Sequence, residues 1–553
     1  MLETKIVSAM EKCFIDQKPS EFAEVKRLRM YRNERGAIQF IAYNDTQVRI
    51  TTFLQITIEG ELAQFATMRT VENVPNYCSA RFIKEDGTEK DYHLLRTTPG
   101  LYPDVLMPLM RKNCIPYFNQ QMHTVIIEFA GDLKAGKYPM KIVLHDLNNE
   151  KVAENAFEVE VIDAFMPNHG IKFSNWFYAD CLADYYNVPA FSDRHFEICE
   201  NFIKTAASVG INMLLMPVFT PPLDTYIGGE RTTTQLVKVM KENGVYSFDF
   251  SLVDRWITMC DRCGMKYIEV CQLFSQWGAT SAPKIMAYVD GVYQQIFGWD
   301  TDATGREYVA FLRQFLTEFT GWLEKRGDKG RTYFHLSDEP RPQHLETYKT
   351  HRKNLRDILE GWNILDGIHH VEFYKEGLSD IPVHLTTLDK EFSEVALKER
   401  WVAYCCDTLS GSNRSLALSN PRTRSLGYQL YKGNADGFMH WGYNFYNNEN
   451  SYDQVNPFLN PSGYCSLETG GDCHMVYPAQ NGTAIESVRL TATRQAFDDV
   501  RVFRLCESYY GKERVIAEIE EMIGEIDYFN CVEDAKTMQA IRDRMDELII
   551  AKL

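Results

Sequence analysis

Between residues 171 and 446 short apolar runs recur, separated by longer amphipathic stretches of helical period, and that alternation leaves the chain few folds. The runs are IKFSNWFY (171–178), INMLLMPVF (211–219), MKYIEVCQLF (265–274), TYFHLS (332–337), IHHVEFY (368–374), VHLTTL (383–388), WVAYCC (401–406) and GFMHWGYNFY (437–446). Such runs suit strands covered by helices on both faces, so they point to a parallel α/β arrangement. Eight units of this kind favour a (β/α)8 TIM-like barrel over an open sheet.

Upstream the texture differs. From about Met30 to Asp163 short β-rich runs such as HTVIIEFAG (123–131) and YPMKIVLHD (138–146) are separated by polar turns. Leu147-Asn148-Asn149-Glu150 reads as a hairpin turn, after which Phe157, Val159 and Val161 alternate with Glu158 and Glu160, the period of a half-buried strand. These features predict an all-β sandwich over 1–165. The barrel follows over 166–483. From Ala484 the chain lacks strand runs, and stretches such as RVIAEIEEMIGEI predict a helical extension over 484–553 that packs on the barrel.

Composition narrows the function. The 553 residues carry 59 Lys+Arg against 76 Asp+Glu, a net charge of -17, which argues against the basic surface a nucleic-acid binder needs. No apolar stretch is long enough to span a bilayer, and Glu3, Lys5, Glu11 and Lys12 interrupt what would be a signal core, so neither a membrane nor a secretory route is expected. Fourteen cysteines at irregular spacing fit reduced thiols and a cytoplasmic location. Cys260 and Cys263 form a lone CxxC on a helix, and Cys405-Cys406 reads as buried strand. His369-His370 lacks a partner at metal-ligand spacing. With no phosphate-cradling loop or dinucleotide fingerprint, no cofactor and no metal are expected.

In a barrel of this kind the chemistry sits at the C-terminal strand ends. The fourth run ends His335-Leu336-Ser337-Asp338-Glu339-Pro340, with two adjacent carboxylates at the strand exit. Neighbours in a regular strand point to opposite faces, so both can face one pocket only where the backbone bends, and Pro340 makes a bend there plausible. Two close carboxylates cannot both ionise cheaply, which yields one acid and one base near neutral pH. On the dipeptide alone a solvated Asp-Glu turn is the commoner case, since such pairs abound, and only the position at a strand exit argues for chemistry.

The chain resembles the catalytic domain of glycoside hydrolase family 123, also catalogued as domain of unknown function 4091. HLSDEP (335–340), GFMHWGYNFY (437–446), FSNWFYADCLADYY (173–186), GGDCHMVYPAQNG (470–482) with SVRLTATRQAFDDVRVFRL (487–505), and YRNERGAIQF (31–40) resemble the family's motifs in order. The resemblance implies a β-N-acetylgalactosaminidase-like hydrolase of oligosaccharides or glycoconjugates in which the sugar's own 2-acetamido oxygen attacks the anomeric carbon. Carried over, Glu339 is the acid/base and Asp338 orients the acetamido group and stabilises its developing charge. His335 either points inward beside Asp338 or is a satisfied core histidine.

Sugars present apolar C–H faces, so a pocket for them has an aromatic floor and polar rims. The substrate-binding candidates are Trp176, Tyr178, Asp180, Trp277, Tyr374, Tyr404, Trp441, Tyr443, Asn444 and, more weakly, Tyr477, with part of this list expected to be packing. Two other readings remain open. A glycosidase acting on a sugar without an acetamido group would pair Glu339 with another strand-end carboxylate such as Glu372, Asp389 or Asp407. A carbohydrate-binding protein would keep the barrel without catalysis.

Overall fold

The computed structural model describes residues 2–46, 51–77, 93–110, 113–405, 409–463 and 470–553. The N-terminal region is two five-stranded sheets. One runs in the order Leu2–Ser8, Gly36–Asn44, Met122–Phe129, Ala66–Asn76, Gly100–Pro108, and the other in the order Arg27–Tyr31, Lys151–Ile162, Gly136–His145, Thr51–Glu59, Cys114–Phe118. Both give side chains to one core: Ile38, Phe40, Val125 and Ile127 from the first sheet meet Leu54, Ile56, Ile142 and Leu144 from the second. Each such side chain contributes roughly 1.5–3 kcal/mol by leaving water. The alternation read from the sequence holds, with Phe157, Val159 and Val161 buried. At the hairpin, the Asp146 carboxylate accepts from the Asn148 and Glu150 amides (2.9 and 2.8 Å), and Asn149 takes φ 66°. Strand structure begins at Leu2, well before Met30. Leu2–Ser8 lies at a sheet edge, where Glu3 and Lys5 are tolerated, so its pattern is too polar to stand out.

Eight parallel strands then close into a barrel: Lys172–Asn175, Met213–Met216, Tyr267–Val270, Thr332–Phe334, Asn363–Gly367, Ile381–Leu385, Trp401–Ala403 and Gly437–His440. Helices cover it. In Arg306–Arg326 the buried residues Tyr308, Phe311, Leu312, Phe315, Leu316, Phe319 and Leu323 recur every three or four positions, and Gly327 ends the helix in the left-handed region at φ 80°. Truncating Phe315 to Ala would cost about 3–5 kcal/mol.

The fifth strand departs from expectation. It is Asn363–Gly367, and the IHHVEFY run instead ends in the short helix Val371–Lys375. The real strand carries a buried Asp366 and a terminal glycine, so apolarity does not mark it. Tyr374 therefore leaves the helix, not a strand, and donates its hydroxyl to the Ala396 carbonyl (2.7 Å). Residues between the second and fourth barrel strands also form a separate four-stranded sheet of Lys238–Glu242, Val245–Asp249, Ile285–Val289 and Val292–Phe297. At the C-terminal end Ala484–Glu486 is a strand paired with Val476–Pro478, where only helix was expected. The helices Val488–Tyr510, Lys512–Ile523 and Ala535–Ile550 follow, and their core joins Tyr428 and Tyr431 to Met10, Tyr31 and Ile162 of the N-terminal region. Among the described residues no helix is long and apolar enough to cross a membrane.

Candidate active site

The exit of the fourth strand is built by its neighbours. The buried Asp366 carboxylate accepts from the backbone amides of Leu336 and Ser337 (2.7 and 3.3 Å). The Ser337 hydroxyl donates to the Ser275 carbonyl (2.7 Å), and the Asp338 carbonyl accepts from the Trp277 amide (3.0 Å). A parallel bridge joins Asp338 to Gly367, whose carbonyl accepts from the Glu339 amide (3.1 Å). Any side chain at 367 would place its Cβ 2.6 Å from Asp338 Oδ1, so glycine is what lets the carboxylate lie there. The bend falls at Glu339 itself, at φ 46°. That left-handed turn breaks strand alternation and brings both carboxylates to one cavity.

The cavity, about 490 Å³, opens at the C-terminal ends of the strands. Of the residues named from the sequence, Trp176, Trp277, Tyr404 and Trp441 line it with Asp338 and Glu339. Other expected residues lie elsewhere. Tyr178 is buried behind the wall and donates its hydroxyl to Asp224 Oδ2 (3.0 Å). Asp180 pairs with the buried Arg231 (2.5 Å). Tyr443 gives its hydroxyl to the Phe202 carbonyl (2.8 Å), and the Asn444 amide group bonds both the N–H and the carbonyl of Tyr178 (2.9 and 3.0 Å). Tyr477 donates to Asp104 of the N-terminal sheets (2.6 Å), and Tyr374 stands on its helix outside the cavity. His335 is fully buried below the floor, its Nε2 2.6 Å from Glu269 Oε1. Glu269 Oε1 also accepts from Trp176 Nε1 (2.8 Å), so one buried carboxylate fixes a wall tryptophan and the histidine together.

The charges explain what the cavity can do. Burial pushes the Asp338 pKa well above the usual carboxylate range, the charges of Glu339 and Asp224 add to it, and the Gln276 side chain, donating to Oδ2 (2.9 Å), opposes it. Burial also lifts Asp224 to about 6, against the hydrogen bond from Tyr178. For His335 burial acts downward, but Asp366 and Glu269 outweigh it and hold the imidazole at about 9, so a cation sits beneath the carboxylates at neutral pH. His369 Nε2 stands 3.5 Å from Glu339 Oε1. Across the cavity Asp472 accepts from Trp441 Nε1 (2.6 Å) and lies 3.0 Å from His440 Nε2. The site thus holds two carboxyls, Asp338 and Asp224, that burial pushes toward the protonated form, beside aromatic faces.

Asp224, Gln276, His369 and His440 line the cavity without having been singled out as substrate contacts. Asp224 and Gln276 follow the second and third strands within a few residues, a position that strand-end reasoning could have weighed. Asp472 belongs to the GGD stretch at 470–472. Four cavity residues other than glycine, Asp224, Trp277, Glu339 and Asn450, have φ between 46° and 58°. Backbone in sparsely populated regions, about 1–3 kcal/mol each, concentrates where surrounding structure holds side chains for function. Of the carboxylates proposed for the reading without an acetamido group, Glu372 is exposed on its helix and Asp389 is tied to His384 and Arg400 (3.1 and 2.9 Å). Asp407 and Cys406 lie outside the described residues. Cys260 and Cys263 are free thiols on the helix Ser251–Cys263.

Residues 176–506 match the model described as glycoside hydrolase 123, catalytic domain. The class defined by that match is a glycoside hydrolase, whose substrates are carbohydrates. The matched segment is more than half of the chain, and the chain belongs to the glycoside hydrolase 123 family. Among solved structures, a family 123 glycoside hydrolase from Clostridium perfringens, described for glycolipid glycan hydrolysis, aligns over 100% of both chains at 15% identity and a TM-score of 0.75. A β-glucuronidase from Bacteroides uniformis aligns over 82% of this chain and 48% of its own at 12% identity, with a TM-score of 0.31. No curated protein matches.

Proposed function

We propose that the cavity hydrolyses a β-linked N-acetylhexosaminide, of the galactosaminide type, with retention and with the substrate's 2-acetamido group as nucleophile. The acetamido oxygen attacks the anomeric carbon as the glycosidic C–O bond breaks, and Glu339 delivers a proton to the leaving oxygen. Asp338 accepts a hydrogen bond from the acetamido N–H. Water then attacks the anomeric carbon with Glu339 as base, which reopens the oxazoline ring.

The observation that carries this reading is the left-handed turn at Glu339, which sets two sequence-adjacent carboxylates on one cavity, Asp338 buried and Glu339 partly exposed. Ionising Asp338 is unfavourable in the free cavity, and a positive charge growing on the adjacent acetamido nitrogen reverses that balance. The carboxylate therefore stabilises the oxazolinium-like transition state more than the ground state, which is the condition for catalysis. Trp176 and Trp441 supply the apolar faces on which the sugar ring stacks. In this proposal the (β/α)8 barrel over 166–483 is the catalytic domain, the sandwich over 1–165 and the helices over 484–553 being its supports.

An N-acetylgalactosamine analogue with the acetamido oxygen replaced by sulfur should inhibit hydrolysis of an aryl N-acetyl-β-galactosaminide competitively. Efficient turnover of the corresponding 2-hydroxyl glycosides would contradict the proposal. The competing glycosidase that needs a second carboxylate finds it in Asp224, which shares the cavity, and not in Glu372 or Asp389. A carbohydrate-binding protein without catalysis is separated by Glu339→Gln, which abolishes turnover in an enzyme and leaves ligand affinity intact in a binder.

A further inference from the structure

Asp104 is a fully buried carboxylate of the N-terminal sheets, and its side chain accepts from Arg489 and Tyr477, which lie outside those sheets. It lies on the edge strand Gly100–Pro108, where Val105 pairs with Glu72 and Pro103 with Asn73, so Asp104 is the extra residue of a β-bulge. A bulge re-aims a side chain that regular pairing would hold in the sheet. Beside it, Val105 bridges to Ser487, which caps the helix carrying Arg489.

A continuous set of buried contacts leads from Asp104 to the cavity. Arg489 donates from Nε and Nη2 to the two Asp104 oxygens (2.9 and 2.8 Å), and Tyr477 donates to one of them (2.6 Å). The same guanidinium donates from Nη1 to the Gly471 carbonyl. Gly471 sits at φ 99°, and a Cβ there would fall 2.9 Å from Nη1, so this approach requires glycine. Arg414 donates to the Asp472 carbonyl (2.8 Å). The Asp472 carboxylate in turn accepts from Trp441 Nε1 (2.6 Å), and Trp441 lines the cavity. A bidentate arginine pair is geometrically exacting, and its burial leaves neither partner an alternative in water.

We propose that Asp104 is a positioning residue for the Trp441 wall of the active site, acting through Arg489 and the Gly471-Asp472 segment. The N-terminal sheets then complete the site instead of merely accompanying it. The catalytic consequence rests on the hydrolase reading above, whereas the geometric one does not. The test uses the full chain with its 8 tryptophans replaced by 5-fluorotryptophan, the Trp441 resonance being assigned from Trp441→Phe. In Asp104→Asn the ¹⁹F resonance of Trp441 should shift, while those of Trp256 and Trp322 on the outer helices stay in place. With an aryl N-acetyl-β-galactosaminide, KM should rise about 10- to 100-fold with kcat little changed. Asp104→Asn combined with Trp441→Phe should be no worse than Trp441→Phe alone, whereas a merely structural role would multiply the two losses. If Asp104→Asn does not fold, Tyr477→Phe, which removes one of the three hydrogen bonds to Asp104, should shift the same resonance by less. An unmoved Trp441 resonance in whichever variant folds overturns the proposal. A moved resonance in a protein whose wild type cleaves no N-acetylhexosaminide overturns the N-acetylhexosaminidase reading and leaves the positioning role standing.

Discussion

The barrel has a cavity at each end, and the larger one is not the candidate site. The cavity at the N-terminal strand ends, about 650 Å³, is lined by Arg35, Arg494, Asp498 and Arg501 together with Lys266 and Tyr267. Its arginines are matched: Arg35 and Arg494 both reach Glu128 (2.6 and 2.9 Å), Arg35 also reaches Glu486 (3.0 Å), and Arg501 reaches Asp498 (2.7 Å). The cavity at the C-terminal strand ends, about 490 Å³, holds Asp224, Asp338 and Glu339 with strained backbone beneath several of its residues. Paired charge secures a fold, and carboxylates crowded beside a buried carboxyl raise its pKa. Volume distinguishes neither.

Substitutions can break this contrast. Glu339→Gln should reduce kcat about 10²- to 10⁴-fold on an aryl N-acetyl-β-galactosaminide without lowering the melting temperature. Asp338→Asn, which keeps the shape but not the charge, should lose about 10²- to 10³-fold in kcat. At the other end Glu128→Gln leaves buried arginines short of a counter-charge and should destabilise the protein by about 3–5 kcal/mol in chemical denaturation, with kcat of the folded enzyme unchanged. Comparable kcat losses at both ends would erase the distinction.

A pH series sharpens it. The folded pKa of Asp224, about 6, lies above its ordinary value of 3.8, so the stability it contributes when protonated is present below about 3.8 and lost as pH rises through 6. Asp224→Asn does not titrate. Its unfolding free energy relative to wild type should therefore climb between pH 4 and pH 7, as read by denaturant titration at each pH. The smallest effect expected is that of Tyr443→Phe, which deletes one buried hydrogen bond to the Phe202 carbonyl: about 1 kcal/mol of stability and no change in KM.

The barrel was legible because six of its strands lie inside apolar runs and a seventh, Ile381–Leu385, overlaps one, and the carboxylate pair because it stands at a strand exit. The fifth strand was not, since Asp366 spends its polarity on the amides of Leu336 and Ser337, a use visible only once the strands are adjacent. The aromatic wall was legible in part. Period-2 reasoning ends where the strand ends, and beyond Asn175 and His440 the backbone leaves the pleat, which sends Tyr178 and Tyr443 into packing while Trp176 and Trp441 stay in the cavity. Asp224, Gln276 and Asp472 reach the site from loops far apart in sequence. Their positions past strand ends and in the GGD stretch mark them one by one, but that they meet in one place follows only from barrel closure.

The central claim, that the substrate's acetamido oxygen is the nucleophile, is tested most directly by aryl β-galactosaminides bearing acetamido, fluoroacetamido, difluoroacetamido and trifluoroacetamido groups. Each fluorine weakens that oxygen as a nucleophile while the leaving group stays the same. The account predicts that kcat/KM falls steeply and progressively along the series. A flat response, with Asp224→Asn as damaging as Glu339→Gln, would contradict it and move the nucleophile to the protein.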